Sequence, residues 1–225
     1  MNQELLRQLS VITEEEQEIL GARGEIDRSR YTQRKGMVVD CRKMLKAGKL
    51  IQIRPHTRFI HFPRHRHNYI EVIYMCKGQT THRIDGREIV LKEGELLFLN
   101  QNAQQEILPA DKEDVAVNFI ILPEFFVVAF KMLGKGENLL RDFLVGCLCE
   151  GGRYDNYLHF HVADVLPVQN LVENMIWTIL HDQPDKQTIN QTTMGLLFMQ
   201  LTYCTDRLET AGQSFEQNLV LQVLR

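Results

Sequence analysis

The sequence predicts a mainly β protein with helices, in which a sandwich or barrel of short strands is followed by an antiparallel helical segment. Short runs rich in Ile, Val, Phe and Tyr, divided by turn residues, extend from Leu50 to about Leu122. Beyond Pro123, apolar residues recur at helical spacing. The 225 residues, 44% of them hydrophobic, are enough for one large domain with a sizeable core.

Residues 1–48 are predicted to form an N-terminal helical arm. The sequence "TEEE" at 13–16 is typical of a capping box, in which Thr13 caps a helix and Glu16 binds back to it. "GARGEIDRSRY" indicates a linker after this helix, and "DCRKMLKAGK" indicates a further short helix.

Residues 49–122 are predicted to form the β-barrel. The clearest turn is "IDGR", where Asp85 and Gly86 suit the two central positions of a type I′ hairpin. "KEGE" at 92–95 marks another turn. Many short strands at such intervals are typical of a sandwich or a barrel.

Residues 123–225 are predicted to be a helical region. "QPDK" at 183–186 separates two apolar helices, which we expect to pack as an antiparallel pair. Their apolar faces either pack on the barrel and on each other or form the seam of a dimer, and the sequence leaves both open. The last stretch, "SFEQNLVLQVLR", predicts a helix capped by Ser214 and Gln217 without a glycine or proline stop, so we expect the chain to be part of a longer protein.

The composition argues against several classes of protein. A formal net charge of −3 and a pI of about 6.2 give no sign of the basic face by which nucleic-acid-binding domains hold phosphate. No apolar run is long enough to span a membrane, and the charged start lacks a signal-peptide core, so we expect a cytoplasmic protein. The five cysteines are scattered and odd in number, which indicates neither a disulfide framework nor a thiolate metal site.

The stretch "HRHNYIE" at 65–71 holds the strongest candidate site. His65, His67 and Glu71 share one parity, so on a continuous strand all three point inward. Ile73 and Met75 line the same interior, while Val72, Tyr74 and Cys76 face the other way. Two imidazoles and a carboxylate are the ligand set of a facial triad, which holds a divalent transition metal and leaves positions open for substrate. The sequence therefore predicts a site for a metal ion or a small polar ligand here.

The same residues resemble a family motif. His65, His67, Glu71 and Gly78 have the spacing of the first cupin motif, in which HxH is followed by a glutamate and a glycine. The resemblance implies a cupin-like double-stranded β-helix, or jelly-roll barrel, as the fold of the strand-rich region.

The second cupin motif is matched only in part. Gly86 and Gly94 stand at suitable places, but Lys92 stands where proline is usual. Gln105, or Gln104 if the loop aligns one residue earlier, stands where the family has its last histidine ligand. An amide oxygen is a weak ligand for zinc or iron compared with imidazole, so a full site of three histidines and one glutamate is absent.

Residues 48–122 are most similar to one branch of the cupins, the effector-binding domain of AraC-type transcription regulators, in the stretches "HRHNYIEVIYMCKG" and "GELLFLNQ". The resemblance implies a small-molecule effector bound in the barrel, with His65, His67, Glu71 and Gln105 as its contacts. It also implies helices that mediate a homodimer, and DNA binding by a C-terminal domain of two helix-turn-helix units that lies outside this chain. A regulator of this kind is not an enzyme.

Two alternatives stand beside the regulator. His65, His67 and Glu71 are sufficient as the metal triad of a cupin enzyme, such as a dioxygenase or an isomerase, with a divalent transition metal as cofactor. They are also compatible with polar strand ends that hydrogen-bond their neighbours and bind nothing. The replaced last histidine and the long helical tail favour the sensor over the enzyme.

Overall fold

The computed structural model of the chain describes residues 1–21, 26–33, 36–134, 139–148, 155–181 and 183–210. The helices are α1 (Gln3–Leu9), α2 (Glu14–Gly21), α3 (Cys41–Met44), α4 (Val127–Met132), α5 (Leu139–Leu148), α6 (Leu166–Leu180) and α7 (Lys186–Leu201). The strands are β1 (Val38–Val39), β2 (Ile51–Pro55), β3 (Phe62–His67), β4 (Ile70–Lys77), β5 (Gln79–Ile84), β6 (Arg87–Lys92), β7 (Leu96–Leu99), β8 (Gln105–Ile107), β9 (Val115–Ile121), β10 (Tyr157–Phe160) and β11 (Leu208–Thr210).

The strands of the described residues form two sheets. One sheet has the order β1-β3-β8-β5-β6, and the other has the order β11-β10-β7-β4-β9-β2. β1 pairs with β3 in parallel, and the remaining pairings between these strands are antiparallel. Apolar side chains from both sheets meet in one buried interior cluster. This arrangement, with helices packed outside it, confirms the predicted β class with helices.

The central strand β4 is buried on both of its faces. Ile73 and Met75 belong to the interior cluster between the sheets. Val72, Tyr74 and Cys76 belong instead to the larger apolar cluster that the helices share with the outer face of the six-stranded sheet. The alternation predicted for this strand is therefore confirmed.

Local turn and cap signals in the sequence are confirmed. Asp85 and Gly86 have φ angles of 50° and 87°, and Ile84 pairs with Arg87 on either side, as a type I′ hairpin requires. At the start of α2, the backbone N–H of Thr13 donates to Glu16 at 2.9 Å, and the N–H of Glu16 donates to the Thr13 hydroxyl at 3.2 Å.

Three strands lie outside the range predicted for the barrel. β1 comes from the N-terminal arm, and β10 and β11 come from the region predicted to be helical. β10 pairs with β7 and carries β11 on its other side, so it extends the six-stranded sheet. "YLHF" gave no strand signal because all four of its residues are buried and the run is short. The boundaries 1–48, 49–122 and 123–225 stay predictions.

The helices α4 to α7 cover the outer face of the six-stranded sheet. Phe98 of β7 lies at the centre of this layer, with its ring centroid 6.4 Å from Phe143, 5.8 Å from Phe160 and 5.7 Å from Phe198. The two long helices, α6 and α7, are joined by a short connection and pack against each other as an antiparallel pair. The predicted helix capped by Ser214 and Gln217 lies outside the described residues.

None of the helices in the described ranges is both long enough and apolar enough to cross a membrane.

A buried ion pair fastens α2 to the barrel. The Arg58 guanidinium donates to both carboxylate oxygens of Glu16, at 2.6 and 2.8 Å, and to the carbonyl oxygen of Lys112 at 2.8 Å. The two side chains are each 2% exposed. Glu16 therefore caps α2 and neutralises Arg58 with the same carboxylate.

Removing either partner of this ion pair leaves an uncompensated buried charge. We expect Arg58→Ala and Glu16→Gln each to lower the free energy of unfolding by about 3–5 kcal/mol in urea denaturation. The control is Arg7→Ala, which removes an arginine that is 74% exposed and bound to Glu4. It should change stability by less than about 1 kcal/mol. Equal effects for the buried and exposed arginines would refute this role of Arg58.

Candidate functional site

The structure brings the four residues singled out by the sequence to one end of the barrel. His65 and His67 end β3, and Glu71 begins β4, with the connection at Asn68 breaking the strand between them. β3 and β4 belong to different sheets, so Glu71 approaches the histidines from the opposite wall. Nε2 of His67 lies 3.5 Å from Oε2 of Glu71. Gln105 pairs with His65 across β8 and β3.

Three further polar residues complete this cluster: His56 and His82, which are buried, and Asn118, which is partly buried. His56 and Asn118 were not identified from the sequence, which also left open whether His82 or Arg83 faces inward. The Asn118 amide donates to Oε1 of Glu71 at 2.9 Å, and Nδ1 of His56 donates to Oδ1 of Asn118 at 2.8 Å. Nδ1 of His82 accepts from the Gln105 amide at 2.9 Å. The register of β5 places His82 inside. The signal for Asn118 was a single polar residue inside the apolar run "VAVNFII".

The hydrogen bonds of this cluster are incomplete. Four buried polar atoms of this cluster have no hydrogen-bond partner among the residues that the structure describes: Nε2 of His56, Nδ1 of His67, Oε2 of Glu71 and Oε1 of Gln105. A buried polar atom without a partner costs about 1–3 kcal/mol, so native structures rarely collect several of them at one place. Such a concentration is typical of a site that a polar ligand or ordered water completes.

Burial makes the ionisable groups of the cluster neutral rather than charged. It raises the pKa of Glu71 to about 7, against the hydrogen bond from Asn118. It lowers the pKa of His65 to about 4 and places the pKa values of His67 and His82 well below the usual range. The His67–Glu71 contact has the distance of an ion pair, but these directions make it a contact between neutral groups in mildly acidic solution. The cluster is therefore a set of donors and acceptors without fixed charge.

The cavity at this site is small and is lined in part by the N-terminal arm. Its volume is about 50 Å³, which is room for a few water-sized groups. His56, His65, His67, Glu71 and Asn118 are among its lining residues, whereas Gln105 lies behind His65 and does not line it.

The arm forms one wall of the same cavity. Tyr31, Val39 and Met44 lie among the lining residues. The Tyr31 ring packs edge-on against Phe62, with centroids 4.8 Å apart. The arm is also held by the Asn68 side chain, which accepts from the backbone N–H of Cys41 at 2.6 Å. Residues of the arm therefore contribute to the wall of the cavity.

The predicted metal triad does not converge as a metal site in this structure. Among the described residues, the group whose ligand atoms all lie within 4.8 Å of one another is Glu95, His159 and His161. His65, His67 and Glu71 do not form such a group, so the three side chains as they stand do not converge on one metal ion.

The arginines near the site take different roles. Arg54 lines the cavity and pairs with Glu15 at 3.1 Å. Arg58 is buried against Glu16 on the other side of the arm, and Arg64 and Arg66 are exposed. Arg54 is therefore the arginine at the wall of the cavity.

A larger groove lies between β2 and the adjoining ends of α6 and α7. Its volume is about 580 Å³. Apolar residues such as Leu50 and Ile179 line it together with Lys46, Lys49 and Lys186. This volume is in the range of organic-ligand sites, so the groove is a second place where a ligand with a negative charge would fit.

Comparison with known families identifies the strand-rich region. Residues 48–130 match the family model described as the AraC-like ligand binding domain. These residues form an AraC-like ligand-binding domain. The domain covers β2 to β9 and thus the candidate cluster, and the resemblance inferred from the sequence is confirmed for it.

Solved structures give more distant matches. An apo ToxT variant from Vibrio cholerae is 11% identical, with a TM-score of 0.49, and the match covers 70% of this chain and 60% of that one. ToxT from the same organism with bound unsaturated fatty acid is 12% identical, with a TM-score of 0.43 and coverage of 68% and 52%. KdgF from Halomonas is 11% identical, with a TM-score of 0.28 and coverage of 34% and 84%. The chain thus spans 60% or less of these ToxT chains. Among curated proteins, none matches the chain.

Glu71→Gln tests whether the buried carboxyl group keeps its proton near neutral pH. The pKa of Glu71 in the folded state is about 7, above the usual 4.5. Its contribution to stability is therefore full below about pH 4.5 and is lost as the pH rises through about 7. Glutamine has no such proton to lose. When the pH is raised from about 5 to about 8, we expect the unfolding free energy of the wild type to fall by about 2–3 kcal/mol relative to that of Glu71→Gln. Urea denaturation of both proteins at the two pH values measures this difference.

Ile73→Val, at the next inward position of β4, is the matched control for this experiment. This variant should lower the unfolding free energy by about 1 kcal/mol at both pH values, because it removes a methyl group and no titrating group. A chelator in every sample keeps bound metal from changing the result. If Glu71→Gln differs from the wild type equally at both pH values, Glu71 is ionised throughout.

Proposed function

We propose that this chain is the sensory and dimerisation part of an AraC-type transcription regulator. A small polar effector binds at the His65, His67 and Glu71 end of the barrel, with Gln105 supporting His65 from behind. DNA binding belongs to a C-terminal helix-turn-helix domain outside this chain, and the regulator acts in the cytoplasm without catalysing a reaction. The observation that carries the proposal is the group of buried polar atoms without partners around a small cavity.

The size of the cavity limits the effector or requires the arm to move. A volume of about 50 Å³ is well below the roughly 300–1,000 Å³ of sites for drug-sized ligands. A very small molecule fits the present shape. A larger one requires Tyr31 and its neighbours in the arm to be displaced. In that case effector binding and the position of the arm are linked, because a ligand shifts an equilibrium by its differential affinity for the two states.

The alternative function, a metal-dependent cupin enzyme, has less support. Such an enzyme needs His65, His67 and Glu71 to converge on one ion, and their ligand atoms do not form a group of that kind. The AraC-like domain at 48–130 favours the regulator.

The helices supply a surface for the proposed homodimer. Ile189, Leu196, Met199 and Tyr203 of α7 and its end are all more than a third exposed. Their spacing places them on one side of the helix. Several large apolar side chains exposed on one face are typical of a protein interface.

A panel of small polar molecules, comprising short sugars, hydroxy acids and amino acids, tests the effector site by thermal shift and calorimetry. We expect a compound that binds the wild type to lose about 10- to 100-fold in affinity with His67→Leu or Asn118→Leu. Each of these variants removes a hydrogen bond worth about 1–3 kcal/mol in a buried site.

Two control variants locate the binding site in the same experiment. His61→Ala removes an exposed histidine close in sequence to the site and should leave the affinity unchanged. Lys49→Ala reports on the larger groove between β2 and the helices. A compound whose affinity falls with Lys49→Ala and not with His67→Leu binds the groove, and the proposed effector site is then wrong.

Leu196→Lys tests the dimer surface. Leu196 is 44% exposed on α7, so a lysine is tolerated in the monomer, but it places a charge within the proposed apolar interface. We expect the wild type to elute as a dimer and the variant to weaken association by at least about tenfold, measured by light scattering over a dilution series. Val11→Lys, at a residue 62% exposed on the arm, should leave the dimer intact. Dimers of equal strength in all three proteins would place the interface elsewhere.

A further inference from the structure

A second cluster of metal-ligating side chains lies where the turn before β7 meets β10 and β11. Glu95 belongs to the turn, His159 to β10, Glu209 to β11, and His161 follows β10 directly. None of these four residues lines the cavity of the proposed effector site. The residues are up to 114 positions apart in the chain, so no sequence motif connects them.

The side chains of this cluster converge closely. The carboxylate of Glu95 lies between two imidazoles: Oε2 is 2.9 Å from Nε2 of His159, and Oε1 is 2.8 Å from Nδ1 of His161. Ligand atoms of these three residues all lie within 4.8 Å of one another. Nε2 of His161 is 3.6 Å from Oε2 of Glu209, which brings a second carboxylate to the cluster.

The fold holds these residues rigidly. His159 stands opposite Glu209 in the antiparallel β10–β11 pair and opposite Leu97 in the β10–β7 pair. The backbone N–H of His161 donates to the Arg207 carbonyl at 2.9 Å. The Glu95 carboxylate is oriented by the backbone N–H of Lys92, which donates to it at 2.8 Å.

The turn that carries Glu95 is also built for close approach to the residues beyond β10. Gly94 has a φ angle of 79°, and a Cβ at this position would lie 2.7 Å from Cα of Ala163. A glycine is therefore required for the turn to pack against this segment. The cluster sits on strands and a tight turn, which position metal ligands better than mobile loops do.

Burial and charge favour a cation at this place. Glu95 and His159 are buried, whereas His161 and Glu209 are each about a quarter exposed. In the described part of the chain, the ion-pair partners of Glu95 are the two histidines, and no lysine or arginine is among them. Buried carboxylates in proteins are usually paired with a cation or coordinate a metal. Two carboxylates and two neutral imidazoles balance the charge of one divalent ion.

The ligand set indicates which ions fit. Imidazole nitrogen suits zinc and the neighbouring first-row metals, whereas calcium and magnesium prefer oxygen ligands throughout. Three protein ligands of the nitrogen and oxygen type, with the fourth position open, are one arrangement that zinc takes in tetrahedral sites. We propose that Glu95, His159 and His161 bind one divalent transition-metal ion of the zinc class, which ties the β6–β7 turn to β10 and β11, while Glu209 faces the other ring nitrogen of His161 and orients that imidazole. The proposal is independent of the effector site and of the regulator function.

Zinc titration of the metal-free chain by calorimetry tests the proposal. We expect one zinc ion to bind per chain with the ligand residues intact. His161→Ala should lower the zinc affinity by at least about 100-fold. Even the loss of a residue that only hydrogen-bonds to a metal ligand lowers metal affinity by about 10- to 100-fold. Glu209→Gln, which weakens the contact behind His161, should lower the zinc affinity by about tenfold or more. Both residues are partly exposed, so these variants are expected to fold even if Glu95→Gln does not.

The control separates this cluster from the other histidines. The double variant His65→Ala with His67→Ala should bind zinc as the wild type does. Zinc binding that survives His161→Ala, or that is lost in the double variant, would overturn the assignment, and so would the absence of zinc binding to the wild type.

Thermal unfolding with and without zinc distinguishes a metal site from a purely hydrogen-bonded cluster. Zinc should raise the unfolding midpoint of the wild type, since a ligand that binds the folded state stabilises it. The midpoint of His161→Ala should not respond to the same concentration of zinc. If His161→Ala lowers the midpoint by the same amount in zinc and in chelator, the histidine acts only through hydrogen bonds and the proposal is wrong.

Discussion

The burial of β4 on both faces is the constraint on which the rest of the structure depends. Its inner face presents Glu71, Ile73 and Met75 to the space between the sheets, and its outer face packs against the helices. A slip of one residue in the pairing of β4 with β7 and β9 would exchange the two faces. The carboxylate of Glu71 would then lie in the apolar layer under the helices, without the Asn118 amide that binds it. Apolar packing on one face therefore fixes the position of the polar site on the other.

The sequence predicted the features that depend on local rules. The alternation of β4, the Asp85–Gly86 hairpin and the Thr13–Glu16 cap each follow from residues within a few positions of one another, and the structure contains all three. Features that depend on how distant strands meet in the barrel were not predictable. Strand parity placed Glu71 beside His67, but the structure brings them together because β3 and β4 belong to opposite sheets. β10 has no alternating pattern because both of its faces are buried, so His159 could not be recognised from the sequence.

The carboxyl groups of the two polar clusters differ in how far the protein satisfies them. Around Glu71, hydrogen bonds from neighbouring amides leave four buried atoms without partners, and burial makes the groups neutral. Around Glu95, both carboxylate oxygens have close partners, and the groups that face them are imidazoles. A neutral, unsatisfied cluster favours a polar organic molecule, because each unpaired donor or acceptor gains a partner on binding. A satisfied carboxylate between two imidazoles gains little from such a molecule but much from a cation that replaces the shared protons.

The N-terminal arm is the element through which occupancy of the small cavity can change the rest of the molecule. Tyr31 and Val39 line the cavity, while the Arg58–Glu16 ion pair holds the preceding helix to the barrel on the other side. The ion pair is buried and made of several charge-assisted hydrogen bonds. The wall at Tyr31 and Val39 is held by the ring contact with Phe62, the hydrogen bond from Cys41 to Asn68 and the two-residue strand β1, which are contacts between uncharged groups. Breaking the ion pair leaves a buried charge, so under the proposed function we expect an effector larger than the cavity to displace this wall before it displaces α2.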